Sequence, residues 1–433
     1  MGILLRVISC VGVLFYFSLT AHAGLVIEIT QGQDDAVPIA IVPFAWEGAG
    51  VAPEDVGGVI TSDLHRSGQF KPLGKEDMLS RPSTTDQVFF RDWRVIGVEY
   101  LLIGRLKPEA GTGRFLVEYE LFDVYQGKVI KQGDASGNSL RTIAHYISDD
   151  IYQTLTGIKG AFSTRLAYVT MEKMPDNKQR FRLYRADSDG YNDRIIVESP
   201  EPILSPTWAP NGRHLAYVSF EDGRKPAIFV LDSNTGKSSK ITDYPGLNSA
   251  PSFSPDGEKL AFVLSKDGNP EIYIKDFKKG TMEQITNHYA IDTEPSWFPD
   301  GKRLVFTSSR GGEPQLYEVE ISSKKVKRVS FEGDYNARGT VTPDGRSVVM
   351  VHRQKGVFHI AVQNLERGTL SVLTETTLDE SPSVAPNGVM IIYATQQRGQ
   401  GVLAAVSMDG RVKVRLPSST GHVREPAWSP FLY

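Results

Sequence analysis

Glu294-Pro-Ser-Trp297-Phe-Pro299-Asp-Gly301, running into the apolar Leu304-Val-Phe306-Thr, is the fullest copy of a phrase that the last two-thirds of the chain repeats. Earlier copies read Ser205-Pro-Thr-Trp208-Ala-Pro210-Asn-Gly212 and Ala250-Pro-Ser-Phe253-Ser-Pro255-Asp-Gly257. Later ones read Arg338-Gly-Thr-Val341-Thr-Pro343-Asp-Gly345, Ser381-Pro-Ser-Val384-Ala-Pro386-Asn-Gly388 and a truncated Glu425-Pro-Ala-Trp428-Ser-Pro430. The second prolines stand at 210, 255, 299, 343, 386 and 430, so the step is 43 to 45 residues. Regularity at this length marks a β-propeller blade rather than a helical solenoid.

Each unit is written in strand residues. β-branched and aromatic side chains dominate the run after each Gly, and the Asp-Gly or Asn-Gly before it supplies the positive φ of a tight hairpin. A second apolar run, a turn and a short fourth run complete four antiparallel strands, which is one blade. The last unit stops at Tyr433 after one strand, while Arg165-Leu-Ala-Tyr168-Val-Thr170 appears near the front without a Pro-Asp-Gly of its own. The C-terminal strand is therefore expected to pair with the first blade, giving six blades over 158–433 and closing the ring so that no edge is left open.

The front of the chain has a different character. Residues 1–23 carry one early charge, Arg6, an uncharged stretch from Val7 to Leu19, and Ala21-His-Ala23, the pattern of a secretory signal cleaved between Ala23 and Gly24. The apolar stretch is shorter than the about 20 residues a membrane-spanning helix needs, so no transmembrane span is expected. The only cysteine, Cys10, lies within that signal, and the mature chain must be held by packing alone. A formal charge of −3 on 433 residues, with no basic run interleaved with aromatics, excludes nucleic acid as a partner.

Residues 24–37 read as either an edge strand or a mobile tail able to pair with a partner strand. An α+β domain with a mixed sheet and helices follows over 38–157, its helices expected on one face, with a second helix near Thr85 to Ile96. Its clearest element is the closing helix, with Leu140, Ile143, Ala144, Ile147, Ile151 and Leu155 at helical spacing, Ser139 or Asn138 as cap and Gly157 as stop.

Catalytic patterns are absent. There is no Gly-x-Ser-x-Gly elbow, no His-x-x-x-His pair and no phosphate loop, and Asp187, Asp189 and Asp193 read better as a hairpin turn than as a calcium loop. No cofactor, no metal and no enzymatic activity are expected. The recurring aromatics Trp208, Phe253, Trp297 and Trp428 are expected to wedge neighbouring blades together. Variation is concentrated instead in the loops entering the first strand of each blade and joining its second and third, all at the end opposite the Pro-Asp-Gly turns.

Taken together, the signal, the short first strand, Ala45-Trp46 to Gly58, Leu155-Thr-Gly-Ile-Lys-Gly-Ala-Phe162 and the six blades resemble the TolB family of the periplasmic Tol-Pal envelope system along the whole chain. The resemblance implies a periplasmic, non-enzymatic adaptor supporting outer-membrane integrity and constriction during cell division. It implies binding of the lipoprotein Pal on the propeller loops around Leu247, Asn248, Ala250, Thr293, Glu294, Arg338, Asp379 and Glu380. It implies binding of TolA through Leu25, Val26, Ile27, Glu28, Ile29, Thr30 and Asp34, with other envelope proteins or toxins as further users of that strand. Gly339 and Val341 depart from the repeat, so contacts in that blade follow least directly from it. An alternative reading is a module that binds cell-wall glycan or a small periplasmic ligand in the propeller channel.

Overall fold

The structure is a computed structural model, and it describes residues 36–175, 177–221, 225–416 and 421–432, together with the backbone of the strand Val26–Glu28. The expected signal and its cleavage site at Ala23 and Gly24, and Leu25, Ile29, Thr30 and Asp34 of the expected TolA segment, lie outside the described residues.

Six sheets make the propeller, five of four strands and one, blade five, of five. Blade one is Ile203–Trp208, His214–Ser219, Ala227–Asp232 and Ser238–Thr242. Blades two, three, four and five begin at Asn248–Phe253, Asp292–Trp297, Tyr335–Val341 and Glu380–Val384. The sixth is composite. Its inner strand is the C-terminal His422–Trp428, paired antiparallel with Arg165–Lys173, which is followed by Gln179–Asp187 and Arg194–Ser199.

Packing explains why second strands read as continuous apolar runs rather than alternating ones. In Arg303–Ser308 every residue after the first is buried, because each blade lies between two neighbours and both faces of its middle strands meet side chains. Phe306, Leu304 and Trp297 of blade three pack with Ala261, Ile272 and Ile274 of blade two. Each fully buried large side chain of this kind contributes about 1.5–3 kcal/mol. The tryptophans also reach across the blade boundaries: Trp297 Nε1 donates to the Ser252 carbonyl at 3.0 Å and Trp208 Nε1 to the Ala427 carbonyl at 3.1 Å. In the Pro-Asp-Gly turns Gly301 has φ 65°, where a side chain would be strained.

The front domain is a mixed sheet with strand order Phe70–Pro72, Val37–Ile41, Tyr100–Glu109, Arg114–Asp123, Lys128–Gly137. The helices are α1 (Val56–Arg66), the short α2 (Phe90–Val95) and α3 (Leu140–Thr156), of which α1 and α3 cover one face through Ile60, Leu64, Ile143, Ile147 and Ile151. Ser139 caps α3, accepting from the Thr142 N–H at 3.2 Å, and Gly157 ends it at φ 75°. The second face differs from expectation. Trp93, Val88 and Val98 cover it by packing on Leu101, Ile103 and Phe122, and the single helix expected near Thr85 to Ile96 is a 3-10 turn, Thr85–Gln87, and a short helix, Phe90–Val95. Leu101 and Ile103 alternate with Leu102 and Leu106 along one strand, so a strand buried on both sides needed a second cover.

Buried charge joins the two domains. His145 on α3 lies with Nδ1 at 2.7 Å from Asp63 Oδ2 on α1 and Nε2 at 3.4 Å from Asp189 Oδ2 on a propeller turn. Arg66 bonds Asp63 at 3.0 Å and Ser188 at 2.9 Å, and Arg141 bonds Asp189. Burial lowers the His145 pKa, but the Asp63 carboxylate and then Asp189 outweigh burial and Arg66, leaving it above the ordinary imidazole value. At Asp189 burial acts upward, and Arg66, His145 and Arg141 outweigh it to hold the carboxyl below its usual range. Asp63, His145 and Asp189 could offer three ligand atoms to a metal ion. The two arginines, however, already neutralise the two carboxylates.

Candidate functional site

Each blade's inner strand carries one residue in the left-handed region, just before the position of the first proline. These are Ser205, Ala250, Glu294, Arg338, Ser381 and Glu425, with φ between 47° and 55°. The ladder register shifts at this point in all six sheets, so the residue is a bulge. All six line one cavity of about 490 Å³ around the propeller axis.

One arginine organises that ring. Arg338 Nε lies 3.0 Å from Glu294 Oε1 in blade three, Nη2 lies 3.1 Å from Glu425 Oε1 in the composite blade, and Nη1 donates to Ser381 Oγ in blade five. The Arg338 backbone N–H donates to Glu294 Oε2 at 3.0 Å, and the Ser205 N–H to Glu425 Oε2 at 3.0 Å. A planar guanidinium with several donors suits this role, since it can bond several acceptors in one plane. The Glu425 charge raises the Arg338 pKa, burial opposes it, and Glu294 adds to the rise. Gly339 answers a local need: a Cβ there would lie 2.9 Å from Leu316 Cδ1, so blade three's side chain occupies the space.

Outward from the ring come the loops that enter the inner strands. Of the residues singled out in sequence, the structure brings Ala250, Glu294 and Arg338 into the ring itself. Leu247, Thr293 and Glu380 stand nearby at the loop end of the same strands, partly exposed. Asn248 and Asp379 are fully buried. The Asn248 amide donates to the Tyr244 carbonyl at 2.8 Å, and Asp379 accepts from Thr374 and Thr376, so both shape their loops from beneath.

Other residues of this end were not singled out. Ser205, Ser381 and Glu425 complete the ring, and the column of the repeat shared with Glu294 and Arg338 is the signal that marks them. Tyr289 is 86% exposed, Phe331 70% and Ile291 51%, all on consecutive incoming loops. Large apolar side chains in otherwise polar loops were legible as contact candidates.

Far from this end lies the front domain. Its contacts fall on turns of the opposite end: Arg66 and Arg141 on Ser188 and Asp189, and the Lys159 carbonyl on Asn387 Nδ2 in the Pro-Asn-Gly turn of blade five, at 3.0 Å. Val26–Glu28 pairs antiparallel with Lys413–Arg415, making a fifth, outermost strand of blade five. No helix among the described residues is long and apolar enough to cross a membrane.

Comparison with known proteins agrees with this architecture. The chain matches the TolB amino-terminal domain over residues 25–130 and the TolB beta propeller domain over residues 152–432. It is 59% identical over 416 residues to the Tol-Pal system protein TolB of Alcanivorax borkumensis, covering 96% of this chain and 95% of that protein. To the protein of the same name from Pseudomonas syringae pv. syringae it is 56% identical over 410 residues, covering 94% of each. The crystal structure of TolB from Acinetobacter baumannii superimposes with a TM-score of 0.85 at 41% identity, over 94% of this chain and all of that one.

Proposed function

The chain belongs to the TolB family of Tol-Pal system proteins, and we propose that within that system it is a non-enzymatic periplasmic adaptor that binds Pal on the loop end of the propeller and TolA through its N-terminal segment. The observation that carries the first half is the loop end itself. Tyr289, Ile291 and Phe331 stand exposed around a ring in which Arg338 bridges Glu294 and Glu425, which gives an apolar rim around a fixed polar centre. Because Arg338 is held between Glu294 and Glu425 within the ring, the rim supplies the contact area and the ring keeps it in shape.

The second half rests on the strand Val26–Glu28. One edge of its backbone is engaged by Lys413–Arg415, so TolA can add to the outer edge of the strand in place or take the strand over once it is released. The proposed Pal surface is at the loop end of the propeller, while the strand lies along the outer edge of blade five. Coupling between them therefore acts through docking and release of residues 24–37, a shift between two arrangements rather than a shared contact.

Calorimetry with the soluble domains of Pal and TolA tests both halves together. The doubly substituted Tyr289→Ser, Phe331→Ser protein is expected to lose at least about tenfold in Pal affinity, or 1.4 kcal/mol, and to keep TolA binding. A protein lacking Leu25 to Asp34 is expected to do the reverse. Loss of both partners in either protein, or of neither, counts against the reading.

A further inference from the structure

Where blades two and three meet, beneath the loop that carries Tyr289, two acids are buried at repeat positions whose counterparts touch at the next boundary. The neighbouring boundary shows what the position requires. There Asn336 Nδ2 donates to Gln315 Oε1 at 2.9 Å, and Ser330 Oγ donates to the same oxygen at 2.7 Å. One repeat of 44 residues earlier, the corresponding residues are Asp292, Glu271 and Thr286. Thr286 gives its one hydroxyl hydrogen to Glu271 Oε2 at 2.6 Å, as Ser330 does to Gln315. The amide donor of Asn336 has been replaced by a carboxyl oxygen. Asp292 is 0% exposed and Glu271 3% exposed, and Asp292 Oδ1 has no hydrogen-bond partner.

Charge leads to the same point. Arg310 pairs with Asp292, with Nη2 2.6 Å from Asp292 Oδ2 and its guanidinium held over the Phe306 and Tyr317 rings. His288 faces the pair from the loop, but its Nδ1 accepts from the Ala290 N–H at 3.1 Å and its backbone N–H donates to Glu271 Oε1 at 2.7 Å. One guanidinium against two buried carboxylates leaves one negative charge uncompensated, a costly state away from water.

We propose that Asp292 carries a proton beside Glu271, and that this proton is the ligand that fixes the loop of residues 286–294. Protonated, Asp292 supplies the donor that Asn336 supplies one blade on. The loop is also held beside Glu271: Asn269 Nδ2 donates to the carbonyls of His288 at 2.8 Å and Ala290 at 2.6 Å and lies 3.4 Å from Glu271 Oε1. Losing the proton sets two like charges against each other under Tyr289, Ile291, Thr293 and Glu294. Burial drives the Asp292 pKa upward, Ser308 and Arg310 pull it down, Glu271 pushes it up again, and the balance is upward. A carboxyl raised on folding binds its proton more tightly in the folded chain. Stability then falls as pH rises from the ordinary carboxyl value to the raised one.

Hydrogen exchange of the amides from His288 to Glu294, corrected for intrinsic rates, tests this between about pH 4 and 8, a range that brackets a raised carboxyl. In the parent, opening is expected to rise by up to about tenfold per pH unit across that window. Asp292→Asn installs the donor permanently and is expected to flatten the profile with protection at least equal to the parent's at the acid end. Glu271→Gln is expected to flatten it too, and carries the test alone if Asp292→Asn does not fold. A parent profile that matches the variants overturns the proposal. So does loss of the parent's protection on adding EDTA, which would show a metal ion in the proton's place.

Discussion

A chain ending at residue 420 is expected to have no cooperatively folded propeller. The strand it lacks, His422–Trp428, is the inner strand of the composite blade and pairs with Arg165–Lys173 from the other end of the ring. Val423 is fully buried, Trp428 Nε1 donates to Thr164 Oγ1 at 2.8 Å, and Ser429 Oγ accepts from the Arg165 N–H at 2.9 Å. Glu425 is also an acceptor of Arg338. Truncation thus removes the buried Val423, worth about 1.5–3 kcal/mol, with Ala427 and the half-buried Trp428, opens a strand edge toward the channel, and leaves the ring unclosed. Against a total stability of about 5–15 kcal/mol for a typical folded protein, that loss is decisive. A thermal melt followed by circular dichroism checks it, and a single sharp transition at the parent temperature would refute it.

Arg141→Leu is expected to cost about 3–5 kcal/mol, the usual effect of removing one partner from a buried ion pair. Arg141 lies with its guanidinium 4.0 Å from the Tyr191 ring centre, 3.8 Å from Glu54 and bonded to Asp189, which is buried. Its partners Asp189 and Tyr191 belong to the propeller while Arg141 itself belongs to α3. The cost should therefore appear as weaker association of the domains. In calorimetric unfolding the expected result is an earlier first transition, with Asp189→Leu added to the variant recovering part of the loss. An unshifted single transition would contradict the assignment of this cluster as the joint.

Much of this was legible because it repeats. A period of 43 to 45 residues fixed the blade, and Pro-Asp-Gly marked which end of every blade carries turns of one kind. The orphan strand at Arg165 and the unfinished unit at the C-terminus were enough to locate the closure. Features that arise between repeats were not legible. Asp189 looked like an ordinary hairpin acid, and its pairing with Arg141 and His145 depends on how the front domain sits on the turns. The cover over the second face of the front sheet was missed because Trp93 and Val88 lie in short, weakly periodic segments. The Arg338 network joins side chains from four blades, and no local spacing encodes it. Asp292 and Glu271, by contrast, could have been found by aligning the repeats and asking which columns change from amide to acid.

The proposed Pal surface gives the most direct test of the account. A photo-crosslinking residue placed at Tyr289, on the exposed loop end, is predicted to capture the soluble domain of Pal. The same residue at Asn387, in the turn of blade five that faces the front domain, is predicted not to. Capture from Asn387 without capture from Tyr289 would put the partner on the opposite end of the propeller and contradict the central claim.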